Sequence, residues 1–223
     1  MRYSIHTMKK PKMTKANTYE RIIDVSLQLF NEHGERAITT NHIAHHLNMS
    51  PGNLYYHFAN KDEIIIQLFK RYSAELFTFL SQANLPESVD ECIQYMNGIY
   101  DIMWEYRFLF SDINSLLFRS ATLLGEHNTF TRERIAPLLV KLLGKMQEKG
   151  IIQIDEIGVR DLSVNMWLIT KYWFDFDSSL SDLTCTPEQA KARGVYRTLS
   201  LLRPYFQPEH RALYDEKVRN MNL

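Results

Sequence analysis

The stretch MSPGNLYYHF over residues 49–58 constrains the local fold more than any other part of the chain. Ser50 is a favourable N-cap, and Pro51 suits the first helical position, where its missing N–H has no partner to lose. Leu54 and Phe58 lie four residues apart and therefore share one face of the predicted helix, which we expect to be buried. The other faces carry four side chains that can hydrogen-bond phosphates or base edges, and no carboxylate: Asn53, Tyr55, Tyr56 and His57. A short helix that begins with small residues can bring its N-terminal end close to a base pair.

Two further helices are predicted before this stretch. Apolar residues recur every three to four positions from residue 18 to about residue 33, and Gly34 can end that helix because glycine adopts positive φ without strain. A second helix is predicted over about residues 40–47, and Asn48 suits the left-handed turn that follows it. Two short helices across a tight turn, braced by a longer first helix, form a helix-turn-helix three-helix bundle.

The rest of the chain also has the pattern of helices. Asn60 is a natural N-cap for a helix that begins at about Lys61 and runs to about residue 80. Further helices are predicted over residues 89–106, 111–119, 128–149, 159–176, 187–202 and 209–218. We therefore predict an all-α fold, in which the helix-turn-helix bundle is followed by a larger helical domain.

Charge is distributed unevenly along the chain, although its formal net charge is zero. Residues 1–71 carry ten Lys or Arg and six Asp or Glu, and six of the eight histidines also lie there. This excess of positive charge indicates a part that faces a polyanion, although chance clustering would also produce it. The basic arm over residues 1–15 is open to two interpretations, a tail that contacts phosphates or the minor groove and a solvated, disordered terminus.

Composition argues against several classes of protein. A hydrophobic content of 45% with 12% aromatic residues is enough for a packed core and argues against disorder. The sequence has no apolar run of about 18 residues and no secretory signal, and Cys92 and Cys185 are too sparse for a disulfide framework. We therefore expect a cytoplasmic protein. No Ser-His-Asp order, phosphate-binding glycine loop or carboxylate pair stands out, so we expect no enzymatic activity and no cofactor.

A metal site and a redox site are weaker alternatives. His42 and His46 lie four residues apart on the predicted second helix and could place two imidazoles near one metal ion. No nearby Cys or Asp completes the ligand set, so we expect no bound metal. We expect these histidines to face solvent or phosphate instead. The thiols of Cys92 and Cys185 could sense oxidants, but nothing in their sequence surroundings activates them.

Three patterns follow one another over about residues 19–68: Arg21–Asp24 with Leu27, Phe30 and Gly34; Thr39-Thr40 with Ile43, Ala44 and Leu47; and Ser50–Phe58 followed by Lys61. Together they resemble the TetR family of bacterial transcriptional regulators. The sequence departs from the family pattern at Leu47-Asn48, where the family often has Ala-Gly, and at three histidines of the predicted second helix, His42, His45 and His46. Asn48 can serve the same turn as glycine.

The resemblance implies an N-terminal DNA-reading domain and an all-helical C-terminal domain that binds a small ligand and dimerises. It places four residues nearest to base edges: Pro51, Gly52, Asn53 and Tyr55. It assigns phosphate contacts to four others: Thr40, Tyr56, His57 and Lys61. We accordingly predict a flexible basic arm over 1–15, a helix-turn-helix DNA-binding domain over 16–60, a connecting helix over 61–80, and a ligand-binding and dimerisation domain over 81–223.

Aromatic and methionine residues are frequent between residues 95 and 176. They fit either an ordinary core or a cavity for an apolar or amphipathic ligand. Asn114 and Asn165 are the polar candidates, because each lies among apolar neighbours and a buried amide needs partners. The predicted lining comprises Tyr100, Trp104, Phe110, Asn114, Phe118, Asn165, Ile169 and Trp173.

The predicted helix over 159–176 is apolar on two faces, and such a helix needs two partners. We therefore expect a homodimer through this helix and the next, over 187–202. A two-fold dimer would place two reading helices about one DNA turn (~34–36 Å) or more apart, which matches a palindromic operator.

The leading hypothesis is a repressor that binds a double-stranded DNA operator and is released by a small-molecule effector. A corepressor-dependent or ligand-independent regulator is the first alternative. A C-terminal domain with enzymatic activity is a distant one, since no catalytic constellation is visible.

Overall fold

The computed structural model describes residues 18–180 and 186–219. These residues form helices and no strand, apart from one isolated bridge between Ile152 and Phe206. The prediction of an all-α fold with an N-terminal helix-turn-helix bundle and a helical C-terminal domain is confirmed. The chain divides into two compact units, one that ends at Ile64 and one that begins at Ile65.

The first unit contains three helices and the first turn of a fourth: α1 (Thr18–His33), α2 (Thr40–His46), α3 (Pro51–His57) and α4 (Lys61–Gln82). A short 3-10 turn over Glu35–Ala37 follows α1. Gly34 has a φ of 80° where α1 ends, and Asn48 has a φ of 53° in the turn between α2 and α3. These two positions confirm the predicted bends, because both require the left-handed region of φ.

Local capping explains where α2 and α3 begin. The side chain of Thr39 accepts a hydrogen bond from the His42 N–H, and His42 Nδ1 accepts one from the Thr39 N–H, which makes a reciprocal capping box. Ser50 caps α3, since its Oγ accepts from the Asn53 N–H at 3.2 Å. His42 therefore serves as a cap for its own helix.

The core of this unit is made of apolar side chains from all four helices, with Ile22, Ile43 and Leu54 fully buried and Phe58 nearly so. The ring of Phe58 also stacks on the ring of Tyr19 at a centroid distance of 4.8 Å. α3 is only seven residues long and would not persist alone in water. Its position is therefore determined by Leu54 and Phe58 in the core.

The second unit contains the rest of α4 and eight further helices. These are α5 (Val89–Glu105), α6 (Phe108–Ser111), α7 (Ile113–Arg119), α8 (Ala121–Thr129), α9 (Ala136–Glu148), α10 (Glu156–Leu180), α11 (Pro187–Ser200) and α12 (Pro208–Arg219). A π-helical turn over Phe130–Ile135 joins α8 to α9 without a break in the helical path. None of the helices in the described part of the chain is long and apolar enough to cross a membrane.

Two predicted helix boundaries were wrong. The predicted helix over 111–119 corresponds to α7, which begins at Ile113, and the short α6 before it was not predicted; Asp112, with φ −158° and ψ 50°, separates the two. The predicted helix over 128–149 begins earlier, at Ala121, where Ser120 accepts a hydrogen bond from the Leu123 N–H at 3.2 Å. Continuity through the π-helical turn depends on burial of Phe130 and Ile135, which the spacing of apolar residues did not show.

α5, α10 and α11 pack closely around Gly194. A Cβ atom at this position would lie 2.4 Å from Tyr100 Cε1 and 2.6 Å from Trp173 Cδ1, so only glycine permits this approach. Polar contacts hold the same three helices together: Tyr100 OH lies 2.9 Å from Thr198 Oγ1, and Trp173 Nε1 donates to the Ala190 carbonyl at 2.8 Å. The large side chains at this junction are therefore structural.

Candidate functional sites: a nucleic-acid interface and two cavities

The first unit presents an exposed surface at the start of α3. Pro51, Gly52 and Asn53 form its first turn and are exposed, whereas Leu54 is buried behind them. The Asn53 side chain has no hydrogen-bond partner among the described residues, so its amide is available to an external donor or acceptor. Tyr56 is 85% exposed. The predicted inner and outer faces of this helix are therefore the observed ones.

Thr40 and Tyr55 lie together although they are fifteen positions apart. Thr40 Oγ1, in the first turn of α2, is 3.0 Å from Tyr55 OH, on α3. Both residues were predicted to contact DNA, and the hydrogen bond holds the phenol in one place between the two helices. A positioned side chain loses less conformational entropy on binding than a mobile one.

Gly52 has open space where a side chain would be. A Cβ built at this position would meet only Ser50 Oγ, at 4.0 Å. Glycine in an exposed helix is less stable than alanine by about 0.5–1 kcal/mol. Glycine therefore does not stabilise the fold at this position. It leaves the surface without a side chain, which allows another molecule to approach the helix closely.

Lys61 is placed differently from the other predicted DNA contacts. Its Nζ lies 2.8 Å from Glu35 Oε1 and donates to the carbonyls of Glu35 at 2.9 Å and Ile38 at 3.0 Å. The ammonium group, which was expected to project toward a phosphate, is thus directed into its own domain. It closes the 3-10 turn onto the start of α4. Glu35 is the residue that sequence reasoning missed, because a partner 26 positions away leaves no local spacing signal.

The histidines, the basic arm and the two cysteines singled out from the sequence have simpler outcomes. His57 is half-buried, with its ring 5.2 Å from that of Tyr56. His46 is exposed, and within residues 18–180 and 186–219 no three His, Cys, Asp or Glu side chains form a metal-binding group. The basic arm over 1–15 and Cys185 lie outside the described residues. Cys92 is buried, and burial raises the pKa of its thiol to about 12, so it carries no thiolate at neutral pH.

The second unit contains two adjoining cavities. The first, which we call the aliphatic cavity, is a narrow space with a volume of about 30 Å³. Its lining is almost wholly apolar: Leu76, Leu80, Tyr95, Met96, Ile99, Ile135, Leu138, Leu139, Leu142, Met166, Trp167 and Thr170. Such a lining suits a hydrocarbon.

The second cavity, which we call the aromatic cavity, is narrower still, with a volume of about 10 Å³. It is lined by Phe69, Tyr72, Leu109, Phe110, Ile113, His127, Phe130, Trp167 and Lys171. Trp167 belongs to both linings and forms the wall between the two cavities.

Two buried polar groups of the aromatic cavity lack partners. Tyr72 OH and His127 Nδ1 have no hydrogen-bond partner among the described residues, although Tyr72 is 2% and His127 8% exposed. Leaving such a group unpaired costs about 1–3 kcal/mol, which is unusual in a native core. Burial raises the pKa of Tyr72 well above its usual range. Burial and the Lys171 charge lower the pKa of His127 to about 4, against an opposing hydrogen bond with Asn128, so both groups are neutral at pH 7.

The eight predicted ligand-lining residues do not converge on one site. Phe110 lines the aromatic cavity, and Ile169 and Trp173 line an open groove along α10 and α11. Tyr100 is fully buried, and Trp104 is half-buried with its ring 5.2 Å from that of Phe174.

The other three predicted lining residues are exposed. The expectation that Asn114 and Asn165 are buried amides was wrong, because both lie on outward helix faces of the single chain. Asn114 Oδ1 accepts a hydrogen bond from Tyr172 OH at 2.9 Å. Phe118 is 93% exposed.

One face of α10 leaves large apolar side chains uncovered. Val164, Leu168, Phe176 and Leu180 are each more than half exposed. They follow the helix at spacings of four, eight and four residues, and so form one stripe. The groove that contains Ile169 and Trp173 runs along the same stripe. A contiguous exposed apolar surface of this kind indicates a protein interface.

Comparison with known proteins identifies the class. A family profile described as bacterial regulatory proteins of the TetR family matches residues 22–68, and the TetR profile described as bacterial transcriptional repressor matches residues 71–214. The protein belongs to the TetR family of bacterial transcriptional regulators and carries its helix-turn-helix DNA-binding domain.

Individual relatives agree with this assignment. The uncharacterised HTH-type transcriptional regulator YvkB of Bacillus subtilis (strain 168) is 27% identical over 145 residues, which span 61% of this chain and 71% of that protein. A TetR-family regulator from Marinobacter aquaeolei VT8 has a solved structure that is 34% identical, with a TM-score of 0.79 over 90% of this chain and 98% of that one.

A more distant solved structure shares the fold. It is a regulator from Saccharomonospora viridis in complex with choline, 12% identical, with a TM-score of 0.64 over 82% of this chain and 95% of that one. At this identity the likeness shows a common fold and says nothing about the ligand of this protein.

Replacing Gly52 by alanine separates folding from binding. We expect Gly52→Ala to raise the free energy of unfolding by up to about 1 kcal/mol, because the site has room for a methyl group and alanine is the better helix former. We expect the same variant to bind duplex DNA more weakly, because the methyl group occupies the surface that approaches the bases. Gly144→Ala, which also meets nothing within 4 Å but lies on α9, is the control and should leave DNA binding unchanged. Unchanged DNA affinity for Gly52→Ala would contradict a close approach at this turn.

Removing the Lys61 ammonium tests its inward placement. We expect Lys61→Ala to lower the free energy of unfolding by about 1–3 kcal/mol, because it leaves the Glu35 carboxylate buried without its cation. The double variant Glu35→Ala with Lys61→Ala should recover part of this loss in denaturant unfolding. Salt dependence of duplex binding supplies the second measurement. Its slope should stay the same if Lys61 remains on Glu35, and a decrease of about 1 would instead reveal a phosphate contact.

Proposed function

We propose that this TetR-family regulator is a homodimeric repressor that binds a palindromic operator and is released from it by a small apolar or amphipathic ligand. The observation that carries the proposal is the exposed first turn of α3. There Gly52 leaves open space, and the neighbouring Tyr55 is held by Thr40. This arrangement suits close contact with base edges.

The proposed division of labour on DNA follows from exposure and chemistry. Pro51, Gly52, Asn53 and Tyr55 would contact base edges, because the N-terminal residues of a recognition helix reach deepest into the major groove. Thr40, Tyr56 and His57 would contact phosphates, for which hydroxyl and imidazole donors are suited. Lys61 would support these contacts mainly by holding the 3-10 turn against the start of α4.

The apolar stripe on α10 supports the proposed homodimer. A second copy of the chain is its natural partner, because a two-fold axis places the same stripe of both copies face to face. α11 packs against α10 through the bidentate pair of Arg193 and Asp177, so the two helices form one rigid surface. This surface lies on the two helices that were predicted over 159–176 and 187–202 and proposed as the interface from the sequence.

Release by a ligand is proposed from the course of α4. Its first turn belongs to the helix-turn-helix unit, and its later residues Phe69, Tyr72, Leu76 and Leu80 line the two cavities. A ligand in the cavities would therefore contact a helix that continues into the DNA-binding unit. It can shift the equilibrium only by the difference between its affinities for the bound and released forms.

A corepressor-dependent regulator would use the same cavities and helices, but its ligand would bind the DNA-bound form more tightly than the released form. Titration of a ligand into a preformed operator complex distinguishes the two mechanisms, because release supports the proposal and tighter binding supports the corepressor.

Selection of DNA from a random pool with the purified protein supplies the operator. Recovery of a palindromic site is expected, and enrichment of a single, unrepeated half-site would overturn the dimeric mode of binding.

Truncation of Tyr55 tests the reading helix. We expect Tyr55→Ala to weaken operator binding by about 10-fold or more and to reduce discrimination against the wrong base, since a specific base contact is worth about 1–3 kcal/mol. Tyr56→Phe is the comparison, because loss of a phosphate contact should weaken binding equally for all sequences. Fluorescence anisotropy with operator and scrambled duplexes measures both. If Tyr55→Ala keeps wild-type affinity and specificity, α3 is not the reading helix.

A charge in the α10 stripe tests the homodimer. We expect Leu168→Glu to convert the dimer to a folded monomer and to lose operator binding, because a carboxylate would be buried without a partner at the interface. Val140→Glu is the control, since Val140 is similarly exposed at 47% against 52% for Leu168 but lies on α9. Sedimentation and circular dichroism report the two properties. A Leu168→Glu protein that stays dimeric would place the interface elsewhere.

A further inference from the structure

The aliphatic and aromatic cavities lie on the two sides of Trp167 and are lined by the same elements. Along α4, Phe69 and Tyr72 line the aromatic cavity, and Leu76 and Leu80 continue into the aliphatic one. The π-helical turn likewise contributes its first residue, Phe130, to one lining and its last to the other. π-Helical turns occur frequently at functional sites. Trp167 is the residue common to both linings, so displacement of its side chain would join the two cavities into one elongated space, which suits a long, narrow ligand better than a compact one.

The two ends have different chemistry. The aliphatic end has no charged residue in its lining, and the hydroxyl of Thr170 is already used, since it donates to the Met166 carbonyl at 2.8 Å. A group that binds there meets mainly apolar side chains, so a hydrocarbon suits it best. The aromatic end holds the two buried groups without partners, Tyr72 OH and His127 Nδ1. A ligand atom at that end can satisfy both.

Lys171 adds a positive charge to the aromatic end. It lines the cavity, its Nζ lies over the Tyr172 ring at 5.0 Å, and no carboxylate in the described ranges forms an ion pair with it. The lining contains no Asp or Glu. The nearby Glu126 is paired with Lys70 at 3.1 Å. The phenol of Tyr72 and the ammonium group of Lys171 are donors. The neutral imidazole of His127 is a third donor in the tautomer that carries its proton on Nδ1, and a carboxylate accepts hydrogen bonds from all three.

We propose that the ligand of the C-terminal domain is a linear aliphatic carboxylate, whose head binds Tyr72, His127 and Lys171 and whose chain passes Trp167 into the aliphatic cavity. Its regulatory meaning rests on the proposed function, whereas its binding does not. A charged head with a hydrocarbon tail accounts for both linings, while a neutral apolar molecule would leave the two buried donors unsatisfied.

Entry of the chain requires Trp167 to move, because the space is divided into narrow crevices around this side chain. The next residue, Leu168, lies on the exposed α10 stripe proposed as the dimer interface. Displacement of Trp167 therefore acts on the helix that would set the distance between the two DNA-binding units of a dimer. This gives the carboxylate a direct route to operator release.

Decanoate is a suitable probe, compared with decanol and decyltrimethylammonium, which have the same chain and different heads. Calorimetry and tryptophan fluorescence on the full-length protein without DNA should show one decanoate site per chain. Decanoate should bind about tenfold or more tightly than decanol, because charge-assisted hydrogen bonds are about twice as strong as neutral ones. Trp167→Phe should remove most of the fluorescence change. Equal or tighter binding of decanol or the ammonium compound would overturn the proposal, as would no decanoate binding.

Two variants test the assigned head group. Lys171→Met should weaken decanoate binding about tenfold and leave decanol binding unchanged, whereas Lys141→Met, at an exposed position on α9, should change neither. Tyr72→Phe should also weaken decanoate binding. Its thermal midpoint should stay the same or rise by a few degrees, because the hydroxyl it loses has no partner in the free protein. A lower midpoint with unchanged decanoate affinity would mean that Tyr72 is only a structural residue, and would overturn the assigned head site.

Operator binding is measured separately, so that the two proposals can fail independently. Decanoate that binds the free protein and weakens the operator complex supports both. Decanoate that binds but leaves operator affinity unchanged supports the site and overturns release by this ligand. If no operator can be selected, the proposed function fails, and the decanoate titration still decides the site.

Discussion

α3 depends on its neighbours for its existence, and this dependence organises the DNA-binding unit. A helix of seven residues is not stable alone, so burial of Leu54 and Phe58 against α1, α2 and α4 both forms it and sets its rotation. The same burial turns Pro51, Gly52 and Asn53 outward. The hydrogen bond between the hydroxyls of Thr40 and Tyr55 then connects α2 and α3 on the exposed side. The surface offered to DNA is thus a consequence of core packing.

The ion pair of Lys61 and Glu35 also fixes the geometry of the DNA-binding unit. Both partners are held away from bulk water, and the ammonium has three acceptors within 3.0 Å. Buried pairs contribute little net stability but make particular geometries exclusive. Here the pair joins the end of the α1–α2 connection to the start of α4. A residue that would have been assigned to DNA from its charge therefore serves the geometry of the site.

In the second unit, buried polar groups have hydrogen-bond partners in one region and lack them in another. Around Gly194, the polar atoms of Tyr100, Thr198 and Trp173 all have partners. Around the aromatic cavity, Tyr72 OH and His127 Nδ1 have none among the described residues. Buried polar groups without hydrogen-bond partners are rare in native proteins and are found at functional sites, and the stability that they cost is provided by other parts of the fold. The contrast explains why the aromatic residues near Gly194, although equally prominent in the sequence, are structural.

The sequence by itself determined the helices and the DNA-binding surface of this protein, because caps, turn residues and apolar spacing act over a few positions. Thr18–His33, the left-handed Asn48 and the Ser50 cap follow from such local rules. Only the tertiary structure decided which polar groups are paired and which are left without a partner. Lys61 meets Glu35 across 26 positions, and Tyr72 and His127 meet around one cavity from different helices. Contacts between distant residues have no local period, so these cavities arise from tertiary packing alone.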